Sequence, residues 1–316
     1  MNILVTGCCG FIGFHLCLKL LNNRDKVYGI DNLNNYYDLK LKKNRLKILK
    51  NKKIQFRQID IINKAKLNKF IKKNKIKIIY HLAAQAGVRY SIFNPRTYFD
   101  NNLRGFFNIL ETSKENKIKH LIFASTSSVY GKKKVFPLKE TDNTDQPLSF
   151  YAATKKCNEI MAYSYSEIYK LKCTGVRFFT VYGPYGRPDM ALYKFSDSLI
   201  RRKKVNLFNK GQHTRDFTYI DDVVHFLEKM KNLKQKINYS IYNICSSKPI
   251  GLMKYLNEIE KNLRSKAKIK YMNLQKGDVI KTHGDNKKII KSFGRHKFVG
   301  INLGVKKFTS WFKFYK

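Results

Sequence analysis

Short apolar runs alternate along this chain with longer stretches in which apolar residues recur every three or four positions. Asn2–Thr6, Lys26–Ile30, Ile54–Gln58, Ile76–Leu82, Lys119–Ser125 and Thr174–Phe179 are rich in Ile, Val, Leu and Phe and read as buried strands. Phe11–Leu21, Lys64–Lys73, Tyr98–Glu115 and Tyr151–Tyr169 carry the helical period between them. This alternation predicts an α/β fold with a parallel, doubly wound sheet, whose ligands gather at the carboxyl ends of the strands. After about Gly183 the rhythm changes. Pro184–Pro188 is a loop, and shorter elements follow: helices near Leu192–Arg202, Asp221–Met230 and Leu252–Leu263, and strands near Val205–Phe208 and Ser240–Ile244. The expectation is a large domain over residues 1–183, to which about 214–230 return, and a smaller, partly discontinuous C-terminal lobe over 184–316. No internal repeat and no Pro/Gly/Ser linker interrupts the chain, so the two parts should be tightly joined.

Composition narrows the class. Of 316 residues, 43% are apolar, enough for a packed core. The longest apolar stretch near the start, Phe11–Leu21, is interrupted by His15 and Lys19, too polar for a membrane span. Met1-Asn-Ile-Leu-Val begins directly as a strand, which leads us to expect a cytoplasmic protein with no membrane association. Six cysteines form no Cys-x-x-Cys pair and read as free thiols in the core. Seven histidines show no metal-ligand spacing, and His81 at a strand end reads as structural, so no metal is expected.

The charge balance is extreme: 64 Lys and Arg against 22 Asp and Glu, a net +42. A value this high raises nucleic-acid binding. Yet the lysines are spread over 40–53, 64–77, 114–119, 229–236 and 261–270 among Ile, Leu and Asn, without a recognition-helix or RNA-binding aromatic motif. They read as a compositional bias with no specific nucleic-acid partner. A positive field would also speed capture of an anionic substrate.

The chemistry is written at strand ends. Gly7-x-x-Gly10-x-x-Gly13 lies between a strand and a helix, where glycine permits a tight turn and backbone N–H groups can approach a pyrophosphate. Asp31 ends the second strand. Its carboxylate suits two ribose hydroxyls and repels a 2′-phosphate, which favours NAD over NADP. Asp60-Ile61 ends the third strand, where an adenine edge would lie. These features make the fold Rossmann-type. Tyr151 and Lys155 are four apart on one helix face. A phenol has a pKa of about 10, too high for a base at neutral pH, and a nearby ammonium would lower it. Thr126 ends the fifth strand and can relay a hydrogen bond to the same substrate oxygen. The trio points to proton and hydride removal at an alcohol carbon.

Several longer segments carry a resemblance: His81-Leu-Ala-Ala-Gln-Ala-Gly-Val-Arg-Tyr-Ser91, Ala124-Ser-Thr-Ser-Ser-Val-Tyr-Gly131, Ser149-Phe-Tyr-Ala-Ala-Thr-Lys155, Arg177-Phe-Phe-Thr-Val-Tyr-Gly-Pro-Tyr-Gly-Arg-Pro-Asp-Met190 and Arg215-Asp-Phe-Thr-Tyr-Ile-Asp-Asp222. With them the chain resembles the sugar-nucleotide epimerases of the extended short-chain dehydrogenase/reductases, most closely those acting on UDP-glucuronate. The resemblance implies oxidation at C4 by NAD, with Tyr151 taking the hydroxyl proton, rotation of the 4-keto sugar, and reduction from its other face. It implies cofactor contacts from Gly7, Gly10, Phe11, Ile12, Gly13, Asp31, Asn32, Asp60, Ile61, Leu82, Ala83, Ala84, Asn102, Ser125, Tyr151, Lys155 and Phe178. It also implies a homodimer formed as a four-helix bundle by Tyr98–Glu115 and Tyr151–Tyr169, with Phe106, Ile109, Leu110, Met161 and Tyr165 at the contact.

The substrate reading rests on Ser127-Ser128. Related 4,6-dehydratases carry Asp-Glu there, and UDP-glucuronate decarboxylases a Glu in this region. Two hydroxyls lack that acid–base function and can instead donate to a carboxylate, as can Thr180, while Thr126 meets the substrate at the oxygen that Tyr151 serves. Arg89 and Arg187 are candidate anion contacts. By resemblance, Arg215 meets the diphosphate, Asp278 lies near the uridine ribose and Phe208 stacks on uracil, although Lys276 stands where the family often has Pro. The alternatives are a 4-epimerase of UDP-glucose or a UDP-N-acetylhexosamine, a UDP-glucuronate decarboxylase, or a basic nucleic-acid-binding protein on the same fold.

Overall fold

A computed structural model describes residues 1–233 and 237–316; the end of the lysine run 229–236 lies outside the described residues. In chain order the strands are β1 (Asn2–Thr6), β2 (Lys26–Asp31), β3 (Gln55–Gln58), β4 (Ile78–His81), β5 (His120–Thr126), β6 (Cys173–Phe178), β7 (Thr180–Tyr182), β8 (Val205–Phe208), β9 (Thr214–Tyr219), β10 (Tyr239–Ile244), β11 (Pro249–Gly251) and β12 (Ile269–Met272). The helices are α1 (Phe11–Asn22), α2 (Leu39–Asn51), α3 (Lys64–Lys73), α4 (Tyr90–Phe93), α5 (Pro95–Tyr98), α6 (Gly105–Glu115), α7 (Phe150–Tyr169), α8 (Ala191–Ile200), α9 (Ile220–Met230), α10 (Leu252–Leu263), α11 (Lys287–Phe293) and α12 (Ile301–Tyr315).

The main sheet has the order β10-β6-β5-β4-β1-β2-β3, every neighbouring pair parallel. Strand order reverses between β1 and β4, so a crevice opens where their carboxyl ends diverge. Ile3, Leu4 and Val5 of β1 and Leu121, Ile122 and Phe123 of β5 are wholly buried, as both faces of the sheet are covered. Helices α1 and α9 pack together on one face and α3 and α6 on the other. Beyond the main sheet, β11-β9-β7 form a small sheet and β12-β8 a parallel pair.

Several elements differ from the expectation. Tyr239–Ile244, read with the smaller lobe, forms an edge of the large sheet, because its run from Ser240 to Ile244 is buried and pairs in register with β6. The single helix expected over 98–115 is divided. Phe99–Arg104 makes a wide π turn before α6 begins at Gly105, where a Cβ would meet Ile61 at 2.6 Å. Such widened turns occur often at functional sites, and this one carries Asn102. Helix α2 lies within a lysine run read as exposed. Leu41, Leu46 and Leu49 give it a buried stripe, and Asp38 caps it by accepting from the Lys40 N–H. Among the described residues no helix is long and apolar enough to cross a membrane.

Candidate active site

The crevice at the strand ends is a cavity of about 430 Å³ that collects side chains from both parts of the chain. Its floor begins at the glycine turn. Gly7 sits at φ +68°, and a Cβ there would stand 2.8 Å from the Ala83 backbone. At Gly13 a Cβ would stand 2.2 Å from the Gly7 carbonyl oxygen. Only glycine lets β1, α1 and the 82–84 segment approach this closely. Helix α1 starts at Phe11 with no side-chain cap. The N–H groups of Phe11, Ile12 and Gly13 therefore have no partner within the helix, and all three residues line the cavity. Donors at a helix N-terminus suit a pyrophosphate.

Asp31 stands beside this turn. One carboxylate oxygen accepts from the Cys9 N–H at 3.1 Å and the other from the Leu33 N–H at 2.8 Å. These bonds fix its plane at the cavity edge, where it can accept from ribose hydroxyls. Asn32 donates to Asp60 at 3.0 Å, and the second oxygen of Asp60 accepts from the Ile62 N–H at 2.9 Å. Asn32, Ile61, Leu82, Ala83 and Ala84 line the cavity, whereas Asp60 stands behind Asn32. Asn102 is wholly inside the protein. It exchanges hydrogen bonds with the backbone of Gln85 at 2.8 and 3.0 Å and donates to Thr154 at 3.1 Å, tying the cavity wall to α7. The residues present thus fit NAD: a turn of free donors, a ribose-side carboxylate and an apolar wall.

Tyr151 and Lys155 face the cavity from the first turns of α7, which Ser149 caps by accepting from the Ala152 N–H. Burial pushes the Tyr151 phenol up, while the Thr126 hydroxyl and the Arg187 charge act in the opposite direction. Burial likewise lowers Lys155 to about 7, with Glu159 opposing. The Lys155 ammonium donates to the Ala124 carbonyl at 2.8 Å. One turn further along α7, Glu159 receives both the Nε and Nη2 of Arg177 at 2.9 and 2.8 Å, and the Ser125 hydroxyl at 2.5 Å. Both charged side chains are 5% exposed. This pair anchors β5, β6 and α7 directly beneath Thr126. The Thr126 hydroxyl donates to Ser128 Oγ and accepts from the Ser128 N–H, each at 3.2 Å.

At the far end, Ser127, Ser128, Thr180 and Phe178 line the cavity with Arg187 and Arg215. Arg187 is engaged by Asp189 through two hydrogen bonds of 3.1 and 3.0 Å. Arg215 donates to the carbonyls of Thr214 and Ile280 at 3.1 and 2.8 Å, and burial brings it down to about 10. Asp278 lines the cavity and pairs with Arg89 at 2.9 Å. The Arg89 guanidinium lies 4.6 Å from the centre of the Phe208 ring. Arg89, Phe208 and Asp278 therefore form one cluster, with Arg89 and Phe208 behind the cavity lining.

His81 accepts or donates at 2.9 Å to Thr6, and burial drives it down to about 3, so it is a neutral core residue. Sequence reading missed Tyr36, Gln85, Lys42 and Arg45. Lys42 lines the cavity beside Asp31 and donates to Asn34 O at 2.8 Å and Oδ1 at 2.7 Å. Arg45, wholly buried, donates to the Cys9 carbonyl and the Tyr37 hydroxyl, both at 2.7 Å, and to the Tyr185 carbonyl at 2.5 Å. It pins the glycine turn to the loop that carries Arg187. A signal for both existed: they fall on the Leu41–Leu46–Leu49 stripe, where a lysine-rich solvent face would not place them.

Comparison with known proteins agrees with this geometry. The model of the NAD dependent epimerase/dehydratase family matches residues 3–245. Protein CapI of Staphylococcus aureus is 42% identical over 333 aligned positions, covering 100% of both chains. A probable UDP-glucuronate 4-epimerase of Rhizobium meliloti is 38% identical over 331, covering 99% of this chain and 97% of its own. The crystal structure of UDP-glucuronic acid 4-epimerase from Bacillus cereus, in complex with UDP-glucuronic acid and NAD, superposes with a TM-score of 0.95 at 33% identity over 100% of both chains. With a family model that matches most of the chain and relatives aligned along its full length, the chain belongs to the NAD dependent epimerase/dehydratase family.

Proposed function

We propose that this protein interconverts UDP-glucuronate and UDP-galacturonate by NAD-dependent epimerisation at C4. The observation that carries the reading is the turn after β5. Thr126, which faces the same cavity as Tyr151 and Lys155, is followed at once by two hydroxyls, Ser127 and Ser128, where an acid–base carboxylate would be needed to eliminate water. NAD supplies the hydride acceptor for the first half of the reaction and the donor for the second. Tyr151 takes the C4 hydroxyl proton and later returns one, with Thr126 hydrogen-bonding the same oxygen. Arg187 favours the phenolate against the cost of burial. Ser127, Ser128 and Thr180 donate to the C6 carboxylate, and Arg215 and the Arg89–Phe208–Asp278 cluster hold the UDP end.

The test is product analysis. Purified protein should release NAD(H) on denaturation and convert UDP-glucuronate to UDP-galacturonate without net reduction of NAD. Recovery of NADP(H) alone would contradict the role of Asp31. A UDP-pentose with CO₂ would make the protein a decarboxylase, and turnover of UDP-glucose alone an epimerase of neutral sugars.

The same reading makes the protein a cytoplasmic homodimer built on α6 and α7. The contact residues need correction. Phe106, Ile109 and Leu110 are wholly buried within the chain, because α6 turns them onto the sheet. The exposed large apolar side chains on these helices and the turn before them are Phe99, Phe107, Phe150, Ile160, Tyr163, Ile168 and Tyr169, with Met161 and Tyr165 half-buried. Apolar groups left in water on paired helices mark an association face. Sedimentation at micromolar concentration should give twice the chain mass, and Ile160→Lys with Tyr163→Lys should give the monomer. A monomeric wild type would end this part of the reading.

A further inference from the structure

The Arg187 fork is already filled. Its Nε and Nη2 meet the two oxygens of Asp189 at 3.1 and 3.0 Å, the bidentate arrangement a substrate carboxylate would otherwise occupy. Asp189 is held from the opposite wall as well, by the Tyr36 hydroxyl at 3.4 Å, and Tyr36 lines the cavity. The pair is neither solvated nor sealed, with side-chain exposures of 23% and 26%. An arginine aimed at a carboxylate and already paired two residues along the chain poses a chemical question. The sequence motif alone suggests a clamp for the sugar carboxylate, and the geometry shows a clamp closed on its own chain.

We propose that Asp189 is an internal competitor for Arg187, exchanging with the carboxylate of the sugar and so limiting how tightly that carboxylate is held. The proposal rests on the UDP-hexuronate reading of the site. Its physical basis is the rotation the reaction needs. After oxidation the keto sugar must turn over, and every contact to its C6 carboxylate has to break and re-form. Releasing a substrate carboxylate from a half-buried guanidinium with no other partner would leave that charge stranded. Asp189, tethered two residues away, is present at high effective concentration and takes the fork as the sugar leaves it. Ser127, Ser128 and Thr180 remain as neutral donors, weaker than a charged pair. Specificity for the acidic sugar then comes from several modest bonds, and mobility from the internal carboxylate.

Binding can be measured without turnover in protein that carries Tyr151→Phe. Dissociation constants for UDP-glucuronate and for UDP are compared by calorimetry, so that the shared nucleotide cancels. Asp189→Asn should tighten UDP-glucuronate relative to UDP by roughly tenfold, the scale of one charge-assisted hydrogen bond. Asp189→Glu, which keeps the charge, should stay near the parent ratio. With Tyr151 intact, Asp189→Asn should lower both KM and kcat for UDP-glucuronate. In an Arg187→Gln background the tightening should vanish. An unchanged ratio, an equal gain for UDP and UDP-glucuronate, or a gain that survives Arg187→Gln would each overturn the competition. Should Asp189→Asn lose its NAD, Asp189→Ser carries the same comparison. Failure of the substrate reading shows separately and first, as a wild type that turns over UDP-glucose and ignores UDP-glucuronate.

Discussion

Tyr151→Phe is expected to lose epimerisation of UDP-glucuronate by about 10²–10⁴-fold, the usual worth of a positioned general base. The substitution removes one oxygen and keeps the ring, including its edge contact with Tyr98 at 6.0 Å between centroids. The glycine turn, Asp31 and the Lys155 bond to Ala124 lie outside the change, so the variant should fold normally and carry NAD(H) in wild-type amount. Thr126 cannot substitute, because an aliphatic hydroxyl is a far weaker acid than a phenol. A variant that epimerises at close to the wild-type rate would remove Tyr151 from the chemistry. One that fails to retain NAD would show that the tyrosine serves binding instead.

Breaking the Glu159–Arg177 pair is expected to have the largest effect on stability. Glu159→Leu leaves a 5%-exposed guanidinium without its carboxylate and frees the Ser125 hydroxyl. Removing one partner of a buried ion pair costs about 3–5 kcal/mol, a large share of the roughly 5–15 kcal/mol that holds a domain together. The denaturation midpoint in urea should fall accordingly. Replacing both residues, with Glu159→Leu and Arg177→Met, should recover much of the loss, because no charge is then stranded. A loss below about 1 kcal/mol for Glu159→Leu would mean that water reaches the arginine and that the pair is not the anchor described here.

Much of this was legible in the sequence, for reasons that differ by element. The central strands of the main sheet, β1, β4, β5 and β6, show as apolar runs because both their faces are covered, whereas the edge strand β3 is polar and exposed. Gly7, Gly13 and Asp31 are legible because backbone geometry and ribose chemistry admit few residues there. Tyr151 and Lys155 are legible from their spacing downstream of a strand end in a dinucleotide fold, and Thr126 from ending that strand. Helix α2 is hidden by its lysines. Its three buried leucines, Leu41, Leu46 and Leu49, make a narrow stripe, and the two basic residues that complete it, Lys42 and Arg45, look like more of the same surface. The wide turn at Phe99–Arg104 slips the helical period by about one residue, too small a shift to show in a pattern this short. The Arg187–Asp189 pair stands in plain view two residues apart, but only coordinates show the two side chains facing each other. Phe106, Ile109 and Leu110, expected at a dimer contact, face the sheet, because α6 is apolar on more than one side and periodicity cannot say which side meets the sheet.

The end of β5 has a consequence for how such a site diversifies. Ser125 is tied to the buried anchor, and Thr126, Ser127 and Ser128 line the cavity, where the proposed reaction sets Thr126 at the reacting oxygen and the two serines at the distal part of the sugar. In the proposed reaction, framework, redox step and selectivity are then encoded by successive residues on one strand end. Thr126 is the last residue of β5 paired in register with β6, and the turn leaves the sheet at Ser127. Changes at Ser127 and Ser128 cost no ladder hydrogen bond and leave the backbone of Ser125 and Thr126 paired with β6, although a change at Ser128 removes the acceptor of the Thr126 hydroxyl. On the proposed reading, a lineage can alter which substituent the pocket accepts, or add an acid for a further step, by editing two adjacent codons while Tyr151, Lys155 and the buried anchor stay as they are.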